Sequence, residues 1–550
     1  MLAFKKEIKM KNILKKIKFL PAAALLLVAG CEDLDLVPEN QFTDTTYWTS
    51  VDKAQTFLNT AYSQMQKSQY FFYNEALSDN AYNGRGDNAG AASIGAGLYD
   101  PSLARIKEEW KDRYAGIKTC NLILENIDRV PNADAAVIDR MKAETRFLRA
   151  FQHFQLTTWF GDIPLIKKDP SLEEATSITR TSHTEVIQFI LSELDAIIPV
   201  LPKNTQLAAA DRGKITAGAA AALKARVLLY EGDWAGVVQV TEQFMAMNYG
   251  QYSLFSSYEG LFLPQNEYNS EDILSLQYVP QFRMWGEFFD MAPLSAGARL
   301  NALAPTQELV DSYLMLNGKK INEAGSGYNE DNPYVNRDPR LTGTVVYDQY
   351  VWKEADGSSH VIYIKPGSSP GNATDEFVQG SSATPTGYYT RKYYDPQHLT
   401  SLNSGLNLML FRYADILLMY AEAKNELNQM NSSVWDQTIK ALRTRAGFTD
   451  GAALGFNSGL GQAGLREVIR NERRTEFGME GLRIFDIRRW KIAENVLNGY
   501  AHGAKFGVSS IDNGYLRVNL RAFDPAKHYL WPIPRDERLI NTNLSQNPNW

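Results

Sequence analysis

Residues 215–247 read "ITAGAAAALKARVLLYEGDWAGVVQVTEQFMAM". Small residues dominate the first half. "EGDW" (Glu231–Trp234) is a short turn, and a second helical pattern follows it. An alanine-rich helix, a tight turn and an antiparallel partner form the unit of tetratricopeptide-like arrays. Small side chains let paired helices approach closely. The same design recurs as "FRYADILLMYAEAKNELNQ" (411–429), a linker, and "SSVWDQTIKALRTRAG" (432–447). The spacing is irregular, so degenerate repeats are expected rather than a regular solenoid.

Other stretches carry helical spacing. "SVDKAQTFLNTAYSQMQ" (50–66) opens with Ser50 and Asp52 as cap candidates, and Phe57, Ala61 and Met65 recur on one face. Trp110, Tyr114, Ile117 and Leu124 share a face, as do Ala143, Phe147, Ala150, Phe151 and Phe154. A Ser182 or Thr184 cap starts a helix that ends at Pro199. Between Tyr249 and Leu406 the texture changes to Gly, Ser, Asn and Pro. Alternating stretches such as "LTGTVVYDQYVW" predict a few short strands there. The expected fold is predominantly α: a tetratricopeptide-like helical scaffold over 49–248 and 406–500. A loop-rich insertion over 249–405 interrupts it, and a C-terminal segment spans 501–550.

The N-terminus has its own pattern. From Met10, a second candidate start, lysines precede the apolar run Leu20–Ala29, which ends in "LVAGC" at Cys31. Basic, then apolar, then small is the order of a secretory signal. The run is about half of the roughly 20 residues a membrane-spanning helix needs. Residues 1–30 therefore read as a signal peptide. "LVAGC" resembles the lipobox of bacterial lipoproteins, which would make Cys31 the first mature residue, carrying a diacylglycerol and acyl chains. The alternative is a plain signal that happens to contain a cysteine. Residues 31–48 would form the tether. Glu32, Asp33 and Asp35, directly after the cysteine, resemble the export signal that sends such lipoproteins to the cell exterior. With two cysteines in the chain, a lipidated Cys31 leaves Cys120 without a partner. That excludes a disulfide framework and a Cys-based metal site.

Enzyme signatures are missing. None of the six histidines forms H-x-x-x-H or H-E-x-x-H, and neither a G-x-S-x-G elbow nor a Walker loop occurs. "GRGDNAG" (84–90) has the wrong spacing for a phosphate loop and reads as an exposed loop. A glycosidase needs only two carboxylates in one cleft, which leaves no local signature among 63 acids. A net charge of −6 gives no basic footprint for nucleic acid. "VIRNERRTEFGMEGLRIFDIRRW" (468–490) interleaves both signs and predicts buried or half-buried Arg–carboxylate pairs fixing helix to helix.

Several segments, in order, resemble the SusD/RagB family of outer-membrane nutrient-binding lipoproteins. They include "LDLVPENQFTDTTYWTSVDKAQTFLNTAY", "NLILENIDRV", "KAETRFLRAFQHFQLTTWFGDIPL", "KITAGAAAALKARVLLYEGDW", "FRYADILLMYAEAKNEL", "ALRTRAGF", "IRNERRTEFGMEGLRIFDIRRW" and "YLWPIPRDERLINTNLSQNPNW". The resemblance implies four tetratricopeptide-like helix pairs and a variable loop-rich part that carries ligand. It implies a lipid anchor in the outer membrane, facing the exterior, with a SusC-like TonB-dependent transporter as partner and oligosaccharide as cargo. It implies no catalysis; the sequence assigns no metal-ligating residue and no cofactor beyond the lipid, and leaves a structural metal ion open. A family member that binds a peptide or glycopeptide is the alternative, and a glycan-active hydrolase is a third reading.

Sugars present apolar C–H faces and many hydroxyls, so their binder needs flat aromatics with Asn, Asp and Arg. In the family, the loop after the first long helix gives polar contacts. Here that region is "NEALSDNAYNGRGDN" (74–88), with Asp79, Asn80, Tyr82 and Arg85 as candidates. Platforms are expected from the insertion: Phe282, Trp285 and Phe289 in "VPQFRMWGEFFD", and Tyr328 and Tyr334 in "SGYNEDNPYVNRD". Trp159, Trp234 and Trp490 are assigned to core. A shallow platform gives micromolar to millimolar affinity, roughly −4 to −8 kcal/mol.

Overall fold

The computed structural model describes residues 47–550 apart from 355, 372–373, 396–401 and 508–509. Cys31, Glu32, Asp33 and Asp35 lie outside the described residues. The principal helices are α1 (Val51–Ser63), α2 (Ala104–Asn126), α3 (Ala135–Phe160), α4 (His183–Ile197), α5 (Ala217–Glu231) and α6 (Trp234–Met245). After the insertion come α7 (Tyr413–Glu426), α8 (Ile439–Ala446), α9 (Gly461–Glu476) and α10 (Arg483–Arg489).

Local chemistry explains the helix ends. The Ser50 side chain accepts from the Lys53 N–H to cap α1, and Ser182 caps α4 through Glu185. The opening hairpin forms as its residues dictate. Thr216 caps α5, Gly232 ends it at φ 72, and the Asp233 side chain starts α6 by accepting from the Gly236 N–H. Ala219 to Ala222 are fully buried, so α5 lies within the array and meets α4, α6 and α7.

Side-chain pairs fix the packing sense. In α2 and α3, Arg113 bonds Gln152 while Asn121 bonds Arg149, which is antiparallel. The pairs Thr157 with His183 and Arg149 with Glu193 make α3 and α4 antiparallel. His183 with Glu231 and Lys224 with Asp195 do the same for α4 and α5. Asp415 with Arg473 and Glu426 with Arg466 do so for α7 and α9. Cys120 is free and buried. Trp159 and Trp490 are core, whereas Trp234 is only half-buried.

Short two-stranded antiparallel sheets lie within the insertion and at its junctions with the scaffold. They use β1 (Ala81–Asn83) and β8 (Leu408–Arg412) from the scaffold, and β2 (Asp272–Leu276), β3 (Leu303–Pro305), β4 (Val345–Val346), β5 (Tyr350–Lys353), β6 (Ser359–Ile362) and β7 (Tyr389–Thr390) from the insertion. The pairs are β1 with β3, β2 with β8, β4 with β7 and β5 with β6. A C-terminal hairpin pairs β9 (Gly499–Lys505) with β10 (Tyr515–Arg521). The stretch "LTGTVVYDQYVW" supplies β4 and β5, as its alternation predicts. One hydrophobic core runs without a break from scaffold side chains such as Phe147 and Leu223 to insertion side chains such as Leu303, Trp352 and Tyr389.

The charge-dense segment is buried. Glu476, on α9, receives Arg412 at 2.6 Å, Arg340 at 2.9 Å, and Arg445. Glu271 pairs with Arg412 and Arg445, and Glu472 with Arg340 and Arg443. Asp338 pairs with Arg340, and Glu480 with Arg412 and Lys392. Five carboxylates thus face five cations, all buried, and each has a partner within the set. Balance of this kind offsets the desolvation penalty that unpaired buried charges would incur. These residues come from β8, α8, α9, the turn after α9 and the insertion, so the pairs tie scaffold to insertion, not merely helix to helix.

Candidate functional site

The loop after α1 is fixed at its base by the α9–α10 segment. The buried Glu75 carboxylate accepts from the Met479 N–H at 3.0 Å, the Gly481 N–H at 2.7 Å and the Asn80 amide at 2.6 Å. Asp79 is 4% exposed, with Arg483 at 2.8 Å and Arg474 at 3.0 Å. Burial alone would raise its carboxyl, but the Arg474 and Arg483 guanidinium groups outweigh burial and hold it below the usual carboxylate range. Asn80 is 1% exposed, and its side-chain oxygen accepts from Arg474. The expectation that Asp79 and Asn80 touch ligand is therefore corrected. Both are buried, and their polar groups already hold scaffold arginines.

Beyond this anchor the loop reaches solvent. Strand pairing sets Tyr82 opposite Ala304, and the Gly84 N–H donates to the Ala302 carbonyl at 2.8 Å. Gly84 is required there, because a Cβ would lie 2.4 Å from Pro385. This register brings Gly84 against Ala302, whose own N–H donates to the Asp290 carbonyl at 2.7 Å. Asn88 donates to the Tyr73 hydroxyl at 2.7 Å, Tyr73 donates to Asp290, and Arg299 donates to the other Asp290 oxygen at 3.0 Å. Burial raises both the Tyr73 hydroxyl and the Asp290 carboxyl above their ordinary values. The Arg299 side chain is 49% exposed, so the chain of bonds runs from core to solvent.

The same loops carry buried polar atoms without a protein partner: Arg85 Nε, Glu287 Oε2, and both amide atoms of Asn301. Each such group costs about 1–3 kcal/mol if left unmet. Donors and acceptors are mixed, and a hydroxyl can serve either. Tyr82 and Arg85, both half-buried, lie on the same loop as Asn88. Tyr73, Asn88, Glu287, Asp290, Arg299 and Asn301 were missed in the sequence. The one available signal was Asp290, a carboxylate closing the aromatic stretch 279–290.

The aromatic candidates separate. Phe282 is 89% exposed at the tip of a turn closed by backbone bonds between Val279 and Arg283. Phe282→Ala should therefore change unfolding free energy by less than about 0.5 kcal/mol in urea titration. Trp285 and Phe289 are corrections, being 2% and 1% exposed. Trp285 packs on Phe72 at 4.9 Å, and Phe289 packs edge-on against Phe288 at 5.4 Å. Tyr334 stacks on Tyr347 at 4.0 Å and reaches Gln307 through Tyr388. Tyr328 is half-buried with Arg337 over its ring at 5.7 Å. Tyr328 and Tyr334 thus form a group of their own, separate from the junction.

Among the described residues, no group of three His, Cys, Asp or Glu side chains is placed to hold a metal ion. No helix among them is long and apolar enough to cross a membrane. The molecule is a helical-repeat protein whose polar junction is built from loops. It belongs to the SusD family. The family's model matches residues 283–550, and a model described as "starch-binding associating with outer membrane" matches residues 33–229. A SusD-like carbohydrate binding protein of Bacteroides fragilis is 30% identical. Its solved structure superposes with a TM-score of 0.81, covering 91% of this chain and all of that one. The SusD-like protein P2 of Formosa agariphila is 26% identical over 97% of this chain and 99% of its own. Surface glycan-binding protein A of Bacteroides fluxus, 20% identical, shares the fold with a TM-score of 0.66 over 91% of this chain and all of that one.

Proposed function

We propose that this protein captures oligosaccharides at the cell surface and delivers them to a SusC-like TonB-dependent transporter, without catalysis. In this reading residues 1–30 are a signal peptide and Cys31 carries the lipid. Glu32, Asp33 and Asp35 direct the protein outward, residues 31–48 are the tether, and residues 49–550 form the SusD-like body. The observation that carries the reading is the chain of bonds from Asn88 through Tyr73 and Asp290 to the half-exposed Arg299, with unmet polar atoms on Arg85, Glu287 and Asn301 in the same loops. A polyhydroxylated ligand supplies both donors and acceptors to such a set. The carbohydrate-binding description of the Bacteroides fragilis relative points the same way.

The test is calorimetry or affinity electrophoresis of the soluble form, residue 32 onward, against a polysaccharide panel. Arg299→Ala should weaken the best ligand about tenfold, the equivalent of roughly 1.4 kcal/mol. Its melting temperature should hold, because the Arg299–Asp290 pair is half in solvent. Unchanged affinity would remove the junction from the site. Release of reducing ends would overturn the non-catalytic reading. Protease accessibility on whole cells tests the outward placement, and co-purification tests the transporter.

A further inference from the structure

A cavity of about 20 Å³ lies where α3, α10, the loop after α1 and the C-terminal segment meet. Leu77, Ile94, Tyr99, Trp159 and Trp531 line it, together with Arg488 and His528. The last two are each 7% exposed, and each carries a nitrogen without a partner: Arg488 Nη1 and His528 Nε2. Arg488 spends another N–H on the Tyr529 carbonyl and lies 4.6 Å over the Trp159 ring. The His528 Nδ1 accepts from the Asp524 N–H at 3.0 Å, which leaves Nε2 as the protonated, donating nitrogen. Both orphans are therefore donors.

The charge balance is as uneven as the hydrogen bonding. Of the three arginines in α10, Arg483 pairs with Asp79, and Arg489 with Glu422 and Asp486. Arg488 has no carboxylate within ion-pair distance among the described residues. Burial pushes its guanidinium down to about 10, which still leaves it charged at neutral pH. A single water would fit the volume. It could accept from both nitrogens, but its own hydrogens would face aromatic and aliphatic walls. It would also leave the charge uncompensated, and an uncompensated buried charge is the costly case. A carboxylate or sulfate is too large for the space.

We propose that this cavity is a binding site for a monatomic anion of chloride size, held by Arg488 Nη1 and His528 Nε2. The anion takes both N–H groups and neutralises the guanidinium. It joins α10 to the C-terminal segment beneath Leu77 and Ile94, at the foot of the loop that forms the polar junction. The site is independent of what that junction binds.

The test uses the purified full-length protein at fixed ionic strength, with sodium gluconate exchanged for sodium chloride or bromide. Chloride and bromide should raise the melting temperature saturably by about 2 °C, and gluconate should not. Arg488→Met keeps an apolar stem in place and should abolish the dependence; His528→Phe should do the same if the first variant folds poorly. Crystals soaked in bromide should show an anomalous peak between the two nitrogens. A melting temperature indifferent to halide, an equal halide response in a folded variant, or a peak without anomalous signal would each overturn the site.

Discussion

Glu476→Gln should cost about 3–5 kcal/mol of stability, the range for breaking a buried ion pair by removing one partner. That is a large share of the 5–15 kcal/mol that holds a typical fold. Its carboxylate stands against Arg340, Arg412 and Arg445 and is fully buried. A glutamine keeps the volume but leaves the ten-residue set with five cations against four anions. Urea titration should show a lower midpoint, and an unchanged midpoint would mean the pairs are decorative. The same group sets an acid limit. Burial would raise the Glu476 carboxyl, but Arg445, Arg412 and Arg340 together hold it well below its ordinary 4.5. Its folded value is depressed, so its stabilisation is present above about pH 4.5 and is lost as pH falls through the folded value. Asp79 and Asp415 are lowered by the same cause and lose their share as pH falls below about 3.8, their ordinary value. The variant should therefore show a shallower loss of stability below pH 4 than the parent.

Much of the scaffold was legible because its signals are local. The alanine run, Gly232 and Asp233 specify a helix, its end and the next start within about 20 residues. Interleaved signs in 468–490 foretold paired burial, since a basic groove would carry one sign. What could not be read was which distant residue each acid would meet. Asp79 and Asn80 sit in a Gly- and Asn-rich stretch that looks like an exposed loop. Arg474 and Arg483, some 400 positions away, claim both side chains. The insertion misled in a similar way. Its composition is that of loops, yet its aromatics complete the core of the helical scaffold, so richness in Trp, Tyr and Phe was no measure of exposed platforms. Position within a turn mattered more. Phe282 escapes burial because backbone bonds close the chain around it, while Trp285, three residues on, enters the core.

Trp285→Ala tests that distinction. The indole is 2% exposed, lies against Phe72, and donates from Nε1 to the Leu406 carbonyl at 2.7 Å. Its own backbone exchanges two bonds with Ser404, at 2.9 and 2.7 Å, so the ring holds the 402–407 segment on the body. Truncation removes a large packed surface and leaves the Leu406 carbonyl without its donor. Core Trp→Ala changes cost about 3–5 kcal/mol, and an unmet buried acceptor falls within that range or adds to it. The expected result is a lower urea midpoint with the slope unchanged. The fraction still folded should bind ligand with nearly the parent affinity, because the Tyr73 hydroxyl is held by Asn88 and Asp290 rather than by the indole. The opposite outcome, weakened binding at parent stability, would return Trp285 to the ligand surface and require the 279–290 segment to open in solution. Phe282→Ala distinguishes the two cases. If the turn is the platform, the exposed phenylalanine carries the binding and the buried tryptophan the stability.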